Sequence, residues 1–554
     1  MKHSIKDCAF FAALVLLVFS SCKKDKKEEP GTDPIVESNT KQIPTNDRRE
    51  LTNDSLFLYA KQIYYWNTSL PAYDTYEPRK YTGSGTDLIN YENNLLNIGK
   101  ASGSADYLSG ESQLKYSYIE DITTRNPEAI SVLKNTKASV DLEGNGNDIG
   151  IRPIIYTTSA TTKEYLLFVT AVYPGSDADK QGVKRGWHIK KINGQDIGTD
   201  YDREGALLNT LFEDNVTIEG DKYSAQQVTG TFDVTLHKTN YKSSPVYLSK
   251  VFTAGTKKIG YLNYARFSNE DNSVPVLDKV FSDFVSAGVT DLIVDLRYNG
   301  GGYVNTAEHL INLIAPSSAT GVMYKEYFNT TMQTGKATIM KNQPILGDND
   351  EVRYYTDPGT KETRIVNYFD DADYSVQANT YPFEKAGGLG NVTNVVFIVS
   401  GSTASASELV MNSLKPKMNV RLVGDRTYGK PVGFFPVRLE NKYDVLFAMF
   451  ETKNSADQGG YFSGMIPDYA ENAADEHFFD DPRYDFGDKS EPYTAKAISL
   501  LNPSSAAVSA RSGGSMMSIR GKEVSFNNGS VLRPVKEGAD FSGMIETRTR
   551  LRKR

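Results

Sequence analysis

A chain of 554 residues exceeds one ordinary domain, and its length alone suggests roughly three or four. With 39% hydrophobic residues, 24% charged residues and a net charge of −7, the composition is that of a globular protein. This balance favours an ordinary globular protein over a nucleic-acid binder, because no basic tract follows the first segment until the short Arg-rich C-terminus.

The chain opens with Lys2 and Lys6, an apolar run from Ala9 to Phe19, and then Ser20-Ser21-Cys22. The run is too short to span a bilayer comfortably and has the layout of a signal peptide. Small residues before a cysteine resemble a bacterial lipobox, with Phe19 where leucine is more usual. The resemblance implies a lipoprotein signal peptide over 1–22 and lipidation of Cys22; a cleaved signal with an incidental cysteine is the alternative. Of the 2 cysteines, Cys8 lies inside the segment to be removed, so the mature chain has no internal disulfide and no cysteine-based zinc site. Residues 23–47, charged and broken by prolines, read as a disordered tether.

Leu56, Tyr59, Ala60, Ile63 and Trp66 fall at helical spacing, and a second helix is expected from Asp87, with Leu88, Tyr91, Leu95 and Ile98 on one face. Residues 48–135 are expected to form a small helical N-terminal domain. Residues 140–245 turn to short β-rich runs. A strand over Tyr165–Tyr173 is followed by Pro-Gly-Ser-Asp-Ala, then by Lys184-Arg185-Gly186-Trp187 and Ile192-Asn193-Gly194. This resembles the second half of a PDZ domain, with Trp187 where the family usually has aspartate. The resemblance implies capture of a peptide C-terminus as an added strand. Asp148-Ile149-Gly150-Ile151 is the candidate carboxylate loop, with Ile149, Gly150 and Ile151 as its substrate-binding residues; a β-rich insert that binds nothing is the alternative.

A third body is expected over 250–495. Lys258–Phe267 reads as a strand, Val274–Ala287 as a helix, and Asp291–Gly302 (DLIVDLRYNGGG) as a buried strand breaking into a glycine turn before a helix over Val304–Ile314. Three glycines at such a junction suit bare backbone presenting N–H groups to a ligand. A nucleotide site is disfavoured, since no Walker lysine follows and the spacing is not G-x-G-x-x-G. Residues 315–390 are expected to be an insertion with a β-hairpin. Val395–Val399 is a buried strand that leads through Gly-Ser-Thr to a helix starting near Ser405, and Ser405-Ala406-Ser407-Glu408 fits a capping box. A strand over Val420–Val423 leads on to Lys430. Val432–Leu439 and Tyr443–Glu451 alternate like paired strands, and 503–554 reads as a low-complexity, partly disordered tail.

The expected fold class is therefore α/β and multidomain: a helical N-terminal domain, a PDZ-like β-rich domain, and an α/β core of ClpP/crotonase-like βα units with a β-rich extension. In such sheets, sites gather beyond the carboxyl ends of the strands, which collects Gly300–Gly302, Ser405 and Lys430. A serine hydroxyl needs a base, and lysine serves only when neutral, which requires its pKa to fall by about three units through burial. The oxyanion needs N–H donors, which Ala406 and either Gly301 or Gly302 could supply. None of the 5 histidines sits in a recognisable catalytic motif; His309 is the first alternative base.

DLRYNGGG, STASASE and TYGK together resemble the tail-specific, or C-terminal processing, serine peptidases, across roughly residues 150–470. The resemblance implies Ser405 as nucleophile and Lys430 as base, with Thr403 at the first serine of the family's S-A-S-A-S-E. Where that family often places a glutamine to orient the lysine, this chain has Phe434. The function implied is a cell-envelope, lipid-anchored serine endopeptidase acting on protein or peptide substrates, with no cofactor, no metal and no nucleic acid. A non-catalytic peptide-binding envelope lipoprotein on the same scaffold is the alternative.

Overall fold

The computed structural model describes residues 43–83, 85–124, 140–157, 162–347, 351–470, 478–502, 533–534 and 543–545. The expected signal peptide, Cys22 and most of the tether lie outside the described residues, as does the expected tail apart from two short strands. Among the described residues, no helix is long and apolar enough to cross a membrane.

Helix α1 (Arg48–Ile63) starts where the Asp47 side chain accepts from the Arg49 and Glu50 N–H groups, and α2 (Asp87–Ser102) starts at a Thr86 cap. The helix ends before Trp66, whose indole instead stacks on Tyr116. Two helices cannot enclose a core by themselves. Leu56, Phe57, Tyr91 and Leu95 pack with Phe328, Met332, Phe435 and Phe447 from the second half of the chain. The segment expected as a separate N-terminal domain therefore shares its core with residues far along the sequence, and strand Tyr118–Asp121 pairs with Tyr443–Leu446.

The PDZ-like body is an antiparallel sheet of β1 (Ile151–Thr157), β2 (Tyr165–Val172), β3 (Trp187–Ile192), β4 (Asn215–Ser224) and β5 (Gln227–His237), paired in that order. Its core includes Ile155, Leu167, Val169, Ile189 and Ile218. Trp187 lies in this core, stacked on Phe232 at 4.4 Å, so the departure from aspartate is a packing residue.

Strand β6 (Val246–Ala254) returns as a hairpin into β7 (Lys257–Tyr264), and α3 (Glu270–Ser286) crosses to β8 (Asp291–Asp295). The glycine turn and short β9 (Gly301–Tyr303) lead to α4 (Val304–Ile314). Then come β10 (Asn394–Val399), α5 (Ala406–Leu414), β11 (Asn419–Gly424), β12 (Val432–Gly433), β13 (Tyr469–Ala470) and α6 (Pro492–Leu501). The sheet order is β6-β7-β8-β10-β11-β13, with β7 through β13 parallel. The period of two divides its side chains between two layers. Leu292, Val294, Val395 and Phe397 face α3, α4 and α5, while Ile293, Val396 and Ile398 face α6.

The region 315–390 holds the expected hairpin, Tyr354–Thr356 against Thr363–Ile365. Its strand Val322–Phe328 pairs with Phe450–Asn454. Of the tail, β14 (Arg533–Pro534) pairs antiparallel with β1, and β15 (Gly543–Ile545) pairs parallel with β9.

Candidate active site

Three parallel strands, β8, β10 and β11, end on one edge, and the turns that follow them are stitched together. The Asn299 carbonyl accepts from the Ala404 N–H at 3.1 Å and from Ser407 Oγ at 3.0 Å, which joins the glycine turn to the serine turn. Thr403 Oγ1 donates to the Leu296 carbonyl at 2.7 Å, and the Thr403 carbonyl accepts from the Tyr428 N–H at 2.9 Å. The hydroxyl that replaces the family's serine at Thr403 thus ties β8 to the serine turn.

Ser405 sits at the start of α5 with φ +60 and ψ −109, a backbone conformation that L-residues rarely adopt and that costs of order 1–3 kcal/mol. It is fully buried, and its Oγ has no hydrogen-bond partner among the described residues. An unpaired buried hydroxyl is expensive to leave in place, and a catalytic role is one of the explanations such a group calls for.

Lys430 is brought to Ser405 by Glu408. One oxygen of that carboxylate, Oε2, accepts from the Ser405 N–H at 2.9 Å and from the Lys430 N–H at 2.7 Å. The other, Oε1, accepts from the Gly429 N–H at 2.8 Å and from the Thr427 hydroxyl. Glu408, read from the sequence as a helix cap, is thus a clamp between the serine turn and the lysine loop. It is fully buried, and burial leaves its pKa raised above the ordinary carboxylate value although these four donors oppose the rise.

The Lys430 side chain is fully buried as well. Burial lowers its pKa from 10.5 to about 7, with Asp106 and Glu408 opposing and Lys115 assisting. Its Nζ donates to the Tyr116 carbonyl at 3.4 Å and lies 4.6 Å above the Phe434 ring. A π face stands where a glutamine was the expected orienting group, and a carbonyl from the N-terminal segment supplies the hydrogen bond.

That segment is itself braced. Buried Asp106 accepts from the Tyr116 N–H at 2.7 Å, the Ser117 N–H at 3.1 Å and Ser117 Oγ at 2.6 Å. Tyr116 Oη donates to the Gly429 carbonyl at 2.8 Å. Sequence reading missed Asp106 and Tyr116 altogether, and no local motif marks them.

Of the three expected oxyanion donors, Gly301 is removed: its N–H donates to Asn299 Oδ1 at 2.9 Å. Gly302 has φ +139, and a Cβ there would lie 2.1 Å from the Phe267 carbonyl oxygen, so only glycine fits. The Gly301 carbonyl and the Tyr303 N–H both bond to Phe267, so by strand alternation the Gly302 N–H and carbonyl face the other way. Ala406, first residue of α5, has no intrahelical acceptor for its N–H.

The candidate carboxylate loop is also corrected. The Gly150 N–H donates to Asp148 Oδ1 at 2.7 Å, while Ile149 and Ile151 are buried in the core of the PDZ-like sheet. The loop's own Asp148 carboxylate thus takes the Gly150 N–H, one of the donors expected to hold a peptide carboxylate. His309 pairs with Asp278 at 2.7 Å between α4 and α3, and His188 stacks on Phe168 within the PDZ-like sheet; neither is bonded to the Ser405 cluster. Among the described residues, no group of acidic, histidine or cysteine side chains is placed to hold a metal.

Residues 258–470 match the family model of peptidase family S41. Over 382 residues, 68% of this chain, the sequence is 23% identical to a Staphylococcus aureus (strain N315) protein described as a CtpA-like serine protease, and the match spans 64% of that protein. Over 269 residues it is 23% identical to the carboxy-terminal processing protease CtpA of Bacillus subtilis (strain 168), covering 48% of this chain and 45% of the relative. The fold is similar to the crystal structure of a Bacteroides fragilis NCTC 9343 protein described as an S41 protease, with a TM-score of 0.55 and 19% identity over 83% of this chain and 98% of that one. With the serine and lysine turns on one sheet edge and a PDZ-like β-rich body ahead of them, residues 258–470 are thus similar to peptidase family S41, and longer stretches of the chain to CtpA-like serine proteases.

Proposed function

We propose that the protein is a cell-envelope serine endopeptidase that cleaves peptide bonds with a Ser405–Lys430 dyad. The observation that carries this reading is the single Glu408 oxygen bonded to the N–H groups of both residues, one with a buried, unpartnered hydroxyl and the other with an amine whose pKa is lowered to about 7. Neutral Lys430 takes the Ser405 proton as Oγ attacks the scissile carbonyl carbon. The resulting oxyanion accepts from the Ala406 and Gly302 N–H groups, and the Lys430 ammonium returns its proton to the leaving amine. Water, deprotonated by Lys430, then releases the acyl group from Ser405. Hydrolysis of a denatured protein tests the reading: Ser405→Ala and Lys430→Ala should each lose roughly 10⁴-fold or more in kcat. If wild type and Ser405→Ala are equally inert, the enzyme reading fails and the scaffold stands as a peptide-binding protein.

We propose further that the parallel βα units are of the ClpP/crotonase type, supported by the β7-β8-β10-β11 order with a helix after each of the first three. Lipid attachment at Cys22 completes the reading, supported by the Ala9–Phe19 run and the small residues before the cysteine. Cys22→Ser should move the protein from the membrane to the soluble fraction; unchanged partition would refute the anchor.

A further inference from the structure

The stretch containing β14 and β15 touches the molecule at two functionally distinct edges. On the PDZ-like body, β14 covers β1, which would otherwise be the exposed edge of its sheet; Arg533 pairs with Thr157 and Pro534 with Tyr156, antiparallel. A peptide captured by strand addition would take the same edge. On the core, β15 lies parallel to β9, with Gly543, Met544 and Ile545 opposite Gly301, Gly302 and Tyr303. It also packs beside β12, which begins two residues after Lys430. Because the other edge of β9 is taken by Phe267, the Gly302 N–H and carbonyl are directed at β15. The donor assigned to the oxyanion therefore faces the chain's own tail.

We infer that β14 and β15 are intrachain occupants of the substrate track, which hold the protein in a self-blocked state until they are displaced. The inference rests on the peptidase reading for its consequence, but not for its geometry. Both contacts are backbone pairings, so the track accepts an extended polypeptide with little regard to side chains, and a substrate must compete with the tethered segment. Covalent connection to the same chain gives the strands a local concentration of about millimolar, enough to mask a site of micromolar affinity.

The test uses Ser405→Ala protein, so that nothing is cleaved, and a fluorescent, C-terminally amidated peptide of residues 531–546. Chain deleted of 531–554 should bind the peptide about tenfold or more tightly than the full-length chain. Full-length Ile545→Pro, which removes the N–H opposite the Gly302 carbonyl and deletes nothing, should bind it more tightly in the same direction. Equal binding by all three proteins, or no binding to the deleted chain, overturns the inference. With Ser405 restored, the deletion should raise kcat/KM on a denatured protein. If the binding difference is present and every form is inert, the peptidase reading fails while the self-occupancy stands.

Discussion

At the scale of single residues, the site combines a strained serine, a buried amine and an aromatic ring. Ser405 at φ +60 gains from losing its Cβ, so Ser405→Gly should unfold at higher denaturant than Ser405→Ala by about 1 kcal/mol or more. Lys430 imposes a pH dependence on stability with a definite sign. Between its folded pKa of about 7 and the ordinary 10.5, the unfolded chain holds a proton that the folded chain lacks, so stability rises with pH across that window. Lys430→Met should accordingly be more stable than wild type at pH 7 and below, with the difference closing toward pH 10.5 in urea titrations. The Phe434 ring, 4.6 Å from Nζ, favours the ammonium. Replacing it by leucine should move the acid limb of the activity profile to lower pH by roughly half a unit to one unit, the equivalent of a cation–π contact of about 1 kcal/mol.

At the scale of elements, Glu408 decides whether the turns after β10 and β11 stay together. In Glu408→Gln an amide NH₂ must face backbone N–H groups, so two or more donors lose their acceptor at about 1–3 kcal/mol each. A fall in thermal midpoint together with a fall in kcat at nearly constant KM is expected, because the substrate contacts are untouched. Much of this level was legible in the sequence. The period-two apolar runs of β8 and β10, the glycine turn and the serine turn before α5 are local signals, and parallel βα order brings their ends together. What was not legible is held by distant partners. The Lys430–Tyr116 contact spans 314 residues, and neither Asp106 nor Tyr116 stands in a pattern that predicts it. Gly301 looked equivalent to Gly302 until Asn299 claimed its N–H. Asp148, first residue of the expected carboxylate loop, takes the Gly150 N–H with its own side chain.

At the scale of the whole molecule, the PDZ-like body is joined to the core by a buried ionic network. Arg185 Nη2 and Arg297 Nη1 each lie 2.7 Å from Asp480 Oδ1, and Arg297, fully buried, also pairs with Asp295 at 2.9 Å and Glu491 at 3.1 Å. Burial would raise the Asp480 pKa, but Arg185 and Arg297 together hold it well below the usual carboxylate range. Arg297 also precedes the glycine turn by three residues, and its carbonyl accepts from Ser400 Oγ. Docking of the PDZ-like body and placement of the glycine turn that holds the proposed oxyanion donor therefore share one arginine-rich joint. Arg185→Leu removes a charge that Asp480 needs and should destabilise the chain by about 3–5 kcal/mol, with faster proteolytic nicking around 480–490.

The central claim is that Ser405 is a nucleophile made reactive by a neutral Lys430. Covalent labelling by a fluorophosphonate, followed by peptide mapping across pH, tests it most directly. The label should fall on Ser405, its rate should rise through pH about 7 and level off, and Lys430→Ala should abolish it. A label on another residue, or a Ser405 labelling rate unchanged in Lys430→Ala, would contradict it.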